Sequence, residues 1–274
     1  MDRSLTVAPS PRADVWAAGE AYEPYVGRWS RLVARDFIDW LALPSGGRWL
    51  DLGCGTGALT QTIAARNEPA TVTGLDPSDR FIAFARRQTQ DRRIRFHTGD
   101  AQALPFPDMT FDAAVAGLVL NFVPNPAQAV AEMHRVLRAG GTGAAYVWDH
   151  AGEMQLIRYF WHAAVALDPA AQALDEARRF PLCDRERLLA LFRDCGFDRT
   201  ECRVLDVPTV FKDFDDYWSP FLGGQGPAPT YCSTLSDERQ AMLRERLRAA
   251  LPIERDGSIR LIARAFAVRG VRPA

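Results

Sequence analysis

The sequence predicts an α/β fold: a Rossmann-like, doubly wound, seven-stranded sheet, mostly parallel, with an antiparallel C-terminal strand. Three observations carry this. Apolar runs of strand length alternate with segments of helical period from residue 30 to residue 149. The first strand runs into a glycine-rich turn, DLGCGTGALT at 51–60, that opens a helix. The chain then ends in two successive strand-like runs joined by an insertion with no obvious crossover pattern, which marks an antiparallel pair at a sheet edge.

Residues 1–14 read as a tail, and 30–43 place Leu32, Val33, Phe37, Trp40 and Leu41 at helical spacing before Pro44 and Gly46 stop the helix. RWLDLG (48–53) is a buried strand, 57–67 a helix and ATVTGLD (70–76) the second strand, which completes one βαβ unit. A helix over 78–90, strand 94–100, a loop through Pro105 and Pro107, and strand 111–120 follow. The helix over 126–138 puts Val130, Met133 and Leu137 on one face, and Gly140-Gly141 offers a left-handed stop before strand five at 142–149. A longer connection, 150–182, leads to a helix between Asp184 and Gly196, and strand six covers 202–211. An insertion, 212–257, carries the stretch GGQGPAP and one helix capped by Ser236, and strand seven spans 258–270. The expected organisation is one domain over 1–274: tail and helical cover at 1–44, a cofactor-binding core at 45–150, and a C-terminal part at 151–274 whose lid insertion is about 212–257.

Composition narrows the function classes. With 47% hydrophobic and 24% charged residues the chain reads as an ordinary globular protein, and a formal net charge of −1 favours a small-molecule acceptor over nucleic acid. Lys212 is the single lysine, so the arginine excess reflects coding bias rather than phosphate recognition. Arg86, Arg87, Arg92, Arg93 and Arg95 lack interleaved aromatics and read as a solvated face. The five cysteines are scattered without ligand spacing, which argues against zinc and against a disulfide framework, so no metal site is expected. No continuous apolar stretch opens the chain, so neither a leader nor stable membrane insertion is expected, and the localisation expected is cytoplasmic.

The glycine turn satisfies two spacings. Gly53, Gly55 and Ala58 fit the G-x-G-x-x-G/A of dinucleotide sites, whereas Gly53, Gly55 and Gly57 fit G-x-G-x-G, which suits another adenosine cofactor. Asp76 ends strand two about twenty residues past the turn, where a carboxylate can hold both ribose hydroxyls of either cofactor. Asp100, at the end of strand three, adds a second carboxylate suited to an adenine amino group, and a second mononucleotide-binding half is missing from the pattern.

The motifs WLDLGCGTG (49–57), GLDPS (74–78), GDAQALPFPDMTFD (99–112) and EMHRVLRAGG (132–141), in this order, resemble the class I S-adenosylmethionine-dependent methyltransferases, in the branch of the ubiquinone and menaquinone biosynthesis methylases. Ala139 departs from the family's usual proline and affects only a helix stop. The resemblance implies S-adenosylmethionine as cofactor, with S-adenosylhomocysteine as product, and in-line methyl transfer to a small molecule. By resemblance Asp51 orients the loop or binds the cofactor's amino group, Asp76 holds the ribose, and Asp100 with the Ala101 N–H reads the adenine edge. Gly53, Gly55 and Gly57 admit the cofactor's close approach, Cys54 is a small residue among them without thiol chemistry, and Pro77, Gly117 and Leu118 complete its wall. Tyr25 and Trp29 are ring-face candidates for the sulfonium. An NAD(P)-dependent oxidoreductase and a non-catalytic S-adenosylmethionine-binding regulatory module stand as alternatives.

Methyl transfer from a sulfonium needs alignment and exclusion of water more than a nucleophilic side chain, but a protonated acceptor needs a base. Among the four histidines only His150 falls at the carboxyl end of a strand on the expected acceptor side, so it is the candidate base. Asn121 is a candidate to hydrogen-bond the acceptor, and Trp218, Phe221 and Tyr231 of the insertion are candidates to enclose it.

Overall fold

The computed structural model describes residues 27–223 and 226–274; Tyr25 and the tail lie outside the described residues. Helix α1 (Arg28–Leu41) buries Val33, Ala34, Phe37, Ile38 and Leu41 along one stripe and stops at Ala42, whose backbone is left-handed. Strands β1 (Arg48–Leu52), β2 (Thr71–Asp76) and β3 (Ile94–Thr98) alternate with α2 (Ala58–Arg66) and α3 (Asp79–Gln88). Next come β4 (Phe111–Gly117), α4 (Pro126–Val136), β5 (Leu137–Trp148), α5 (Gln155–Leu167), α6 (Glu176–Arg179) and α7 (Arg185–Asp194). The chain finishes with β6 (Asp198–Phe211), α8 (Phe214–Trp218), α9 (Pro227–Ser233), α10 (Asp237–Ala250) and β7 (Ile259–Val271).

The seven strands form one sheet in the order β3-β2-β1-β4-β5-β7-β6. The pairs from β3 through β5 are parallel, and β7 is antiparallel to both β5 and β6, as the sequence predicts. The order reverses between β1 and β4, where successive connections leave to opposite faces and a crevice opens at the carboxyl ends. Because both faces are covered, these strands read as near-continuous apolar runs: the last eight residues of β5 are all buried.

Three expectations change. Helix α4 ends at Val136 rather than at the glycine pair, because the extended Leu137 already pairs with Phe111 to begin β5. Gly140 does take a positive φ of 72°, but as a feature of the strand, where its N–H donates to the Arg272 carbonyl. The 150–182 connection is largely helical: α5 buries Leu156, Ile157, Phe160, Trp161, Ala163 and Ala164 along one broad face, and the helix packs against β7 and α10. Among the described residues the insertion holds three α-helices rather than one; Asp213 and Ser236 cap α8 and α10 as N-caps should, and Pro227 opens α9.

Candidate active site

A cavity of about 390 Å³ opens at the carboxyl ends of β1, β2, β4 and β5. This lies within the size range of small-molecule sites. Its first wall is the glycine turn. Gly53, Gly55 and Gly57 all take positive φ (64°, 51° and 87°), yet their surroundings differ. A Cβ at Gly53 would stand 2.3 Å from Val119 Cγ2, whereas one at Gly55 would meet nothing within 4 Å. Gly53 thus lets the turn pack under the β4 loop, and Gly55 leaves backbone open to a ligand. Gly57 is not part of the cavity lining; it starts α2, and its missing side chain admits the Phe96 ring.

Asp76 fixes this turn. Its Oδ2 accepts the Gly55 N–H at 3.0 Å and its Oδ1 accepts the Ser78 N–H at 2.9 Å, so each oxygen retains a lone pair for a further donor. Burial raises its pKa, opposed by these two N–H groups. Asp51, 1% exposed at the end of β1, accepts a hydrogen bond from Thr60 Oγ1 at 2.6 Å. Burial pushes its pKa up to about 7, with Thr60 opposing and nearby Asp76 adding to the rise. A buried carboxyl so placed is suited to a cation. Cys54 and Pro77 line the same wall, and Asp100 and Ala101 line its outer end, where Asp100 Oδ1 accepts the Gln102 N–H at 2.9 Å. Burial holds the Cys54 thiol well above its ordinary pKa, so it is an inert filler.

Gly117 and Leu118 form the cavity's middle. A Cβ on Gly117 would fall 2.6 Å from the Tyr146 hydroxyl, and Leu118 is held at φ 59° by donating its N–H to the Tyr146 carbonyl. Such a backbone costs a branched residue on the order of 1–3 kcal/mol and is retained where surrounding structure imposes it, commonly at functional sites.

The far end is made after β5. The Asp149 carboxylate accepts the N–H groups of Gly152 and Glu153 at 2.8 and 3.0 Å, and this turn brings His150 into the wall. Arg158 on α5 donates through Nη1 to the His150 carbonyl at 2.8 Å and makes a two-armed pair with Asp175 at 2.8 and 2.7 Å. Asp175 also caps α6, so the pair places Glu176, whose Oε2 accepts the Trp161 indole N–H. Asn121, Phe122, Trp148, Met154, Ile157, Phe180 and Pro227 complete this end.

Of the residues read from sequence, the cavity brings together Asp51, Gly53, Cys54, Gly55, Asp76, Pro77, Asp100, Ala101, Gly117, Leu118, Asn121 and His150. Trp29 is not in the lining: its ring packs edge-on against Phe211, and its neighbour Ser30 lines the cavity instead. Trp218, Phe221 and Tyr231 are likewise not in the lining. Phe221 stacks on Phe160 with centroids 4.5 Å apart, Trp218 lies against Phe221, and Tyr231 packs on Trp161, so the aromatic content of the insertion is absorbed in burying α5. Sequence reasoning missed Glu176, Phe180, Tyr146 and Trp148. The Asp175 cap was legible as Asp followed by Glu before a short helix, but nothing local indicated which cavity that helix would face.

The family described as "Methyltransferase domain" matches residues 50–145. A 2-phytyl-1,4-naphtoquinone methyltransferase of Thermosynechococcus vestitus is 33% identical over 175 residues, 60% of this chain and 78% of that protein. A demethylmenaquinone methyltransferase of Lysinibacillus sphaericus is 30% identical over 178 residues, 60% of this chain and 75% of that protein. Among solved structures, the phosphoethanolamine N-methyltransferase 2 of Haemonchus contortus in complex with S-adenosyl-L-methionine superposes with a TM-score of 0.58 at 16% identity, covering 93% of this chain and 56% of that one. The YcgJ protein of Bacillus subtilis gives 0.58 at 19% identity, covering 88% and 98%. At these identities the structures show a shared fold.

Proposed function

Because the chain belongs to the class I S-adenosylmethionine-dependent methyltransferases, in the branch of the ubiquinone and menaquinone C-methyltransferases, we propose that one cavity holds the cofactor at its Asp76 end and a quinone-type aromatic acceptor, in its reduced form, at its His150 end. The cofactor fits the residues present. Asp76 keeps a lone pair on each oxygen for a vicinal diol, Gly55 leaves open space beside it, and Asp51 is a buried carboxyl suited to the amino group. When bound, S-adenosylmethionine supplies a methyl group on a sulfonium, which is transferred in line to an acceptor atom.

The chain's own part is to bind, orient and keep dry. Asp76 holds the ribose, Asp100 and the Ala101 N–H face the adenine edge, and Gly53, Cys54, Gly55, Pro77, Gly117 and Leu118 form the wall along the cofactor. Phe122, Trp148, Met154, Ile157 and Phe180 make the acceptor end apolar and largely aromatic, which suits a flat ring and excludes water. Asn121 offers the acceptor a hydrogen bond. His150 is held neutral near pH 7, its pKa pushed down to about 4 by burial and then by the Arg158 guanidinium, with Asp175 opposing. It therefore serves as a hydrogen-bonding neighbour of the acceptor.

The observation that carries this reading is the pairing, within one cavity, of a ribose-type carboxylate on a glycine turn with an aromatic end beyond β4 and β5. The relatives' printed substrates support the acceptor class, and the net charge of −1 supports a small molecule over nucleic acid. The same reading treats 1–274 as one methyltransferase domain working in the cytoplasm, where its cofactor is made. Incubation with methyl-labelled cofactor and a reduced short-chain 2-alkyl-1,4-naphthoquinone tests it. Mass spectrometry should show one added methyl group on the naphthoquinone; protein that binds S-adenosylhomocysteine yet leaves this acceptor unlabelled would refute the acceptor class.

A further inference from the structure

Four carboxyl side chains stand in the cavity wall among the described residues: Asp51, Asp76, Asp100 and Glu176. The first three lie on the cofactor's side, at the ends of β1, β2 and β3. Glu176 is on the other side, beside Phe180 and Ile157, and is 3% exposed. Two contacts fix it there. Trp161 donates its indole N–H to Oε2, and the Arg158–Asp175 pair holds the first turn of α6 against the His150 carbonyl. We propose that Glu176 is the proton acceptor for the small-molecule acceptor, taking the proton of its ring hydroxyl, with His150 as a neutral hydrogen-bonding neighbour. This rests on the methyl-transfer reading above.

The chemistry of the wall supports this division. An indole N–H needs only a neutral oxygen as partner, so a carboxyl in an otherwise apolar, aromatic end is a costly choice for structure alone. The titratable groups that act on it are Asp175 and Arg179 on its own helix and Cys183 beyond α6, while Arg158 on α5 and His150 after β5 act on Asp175, and Asp149 acts on Cys183. Arg158 and Asp175 pair with one another, and Arg179 is the cation acting on Glu176 from its own helix. Burial is the main influence, raising the Glu176 pKa to about 8, while His150 remains near 4. A base is most effective with a pKa near the working pH, which favours Glu176 over the imidazole. In the step itself the acceptor's O–H bond breaks as an O–H bond forms on the Glu176 carboxylate, and the electron pair stays on the acceptor's oxygen. The negative charge thereby passes from the Glu176 carboxylate to that oxygen, and after turnover the proton on Glu176 is released to water as product departs.

Glu176→Gln tests the assignment, since the amide oxygen can still accept from Trp161. The variant should keep S-adenosylhomocysteine affinity within about twofold while kcat toward the reduced 2-alkyl-1,4-naphthoquinone falls by about 100-fold or more. Wild-type kcat should rise with pH around an apparent pKa near 8. That rise should be missing in the variant. Wild-type kcat and an unchanged pH profile in Glu176→Gln would overturn the proposal. Infrared titration of wild-type protein saturated with S-adenosylhomocysteine, without acceptor, is the independent arm: a protonated-carboxyl band lost with a midpoint near 8 supports it. No such band at pH 7 overturns it even if the variant does not fold. Wild-type protein that shows the band but does not methylate the naphthoquinone contradicts the acceptor class and leaves the proton site supported.

Discussion

Asp51, which we propose binds the cofactor's amino group, should couple cofactor binding to pH. Its folded pKa of about 7 lies above the ordinary carboxyl value of 3.8, chiefly because of burial. For an acid raised in this direction the folded state binds the proton more tightly than the unfolded chain. Its contribution to stability is therefore fully present below the unfolded value and is lost as pH rises through about 7. A bound ammonium reverses the preference by favouring the carboxylate. Near pH 7, S-adenosylhomocysteine binding should release part of a proton, and the calorimetric enthalpy should vary with the ionisation enthalpy of the buffer. Asp51→Asn should remove that dependence; a wild-type enthalpy independent of buffer would mean that Asp51 is already ionised. Gly55 is the second test at this scale. Its Cβ position points into open space, so Gly55→Val places a branched side chain where we propose the cofactor lies, on a backbone of φ 51°. Binding of S-adenosylhomocysteine should fall below detection by calorimetry, and retained affinity would show that this turn faces something else.

At the scale of elements, the acceptor end depends on α5. Arg158 on α5 and its partner Asp175, the cap of α6, are each about a tenth exposed, so removing one partner strands a buried charge. Arg158→Ala should cost roughly 3–5 kcal/mol in urea unfolding. A loss under about 1 kcal/mol would show that the pair is solvated. Phe221→Ala removes the ring stacked on Phe160 and should cost roughly 3–5 kcal/mol, while S-adenosylhomocysteine affinity stays within about threefold. Strong loss of cofactor affinity with intact stability would place Phe221 in the site after all. The same helix shows why part of the site was not legible. The Asp76 and Gly55 turn is set by local chain geometry, a strand ending in glycines and a carboxylate at the end of the next strand, so this end of the cavity can be read from spacing. Glu176 reaches the cavity only through a capped turn whose position depends on a pair 17 residues apart and on the packing of α5. Trp218, Phe221 and Tyr231 look alike as lid or core in one dimension. The rings that make Phe221 and Tyr231 core, Phe160 and Trp161, lie in the separate 150–182 connection, and nothing in the chain's local pattern pairs that segment with the insertion.

Over the whole molecule, the sheet divides the work. Parallel strands β1 to β3 deliver Asp51, Asp76 and Asp100 to the reversal in strand order, as expected for an α/β crevice. β4 and β5 carry the chain into the acceptor end, and antiparallel β7 forms the floor on which α5 lies. The seven strands and the antiparallel C-terminal strand were readable because strand count and the missing crossover are chain-level patterns. The three-helix build of the insertion was not, since short helices of five and seven residues leave too few turns for a period. The central claim is that one cavity has two chemically distinct ends. Calorimetric titration of S-adenosylhomocysteine into Asp76→Ala and Glu176→Gln, beside wild type, measures this directly. Loss of hydrogen bonds to a buried carboxylate predicts at least about tenfold weaker binding in Asp76→Ala and a change under about twofold in Glu176→Gln. Equal weakening in both variants, or wild-type affinity in Asp76→Ala, would contradict the division of the site.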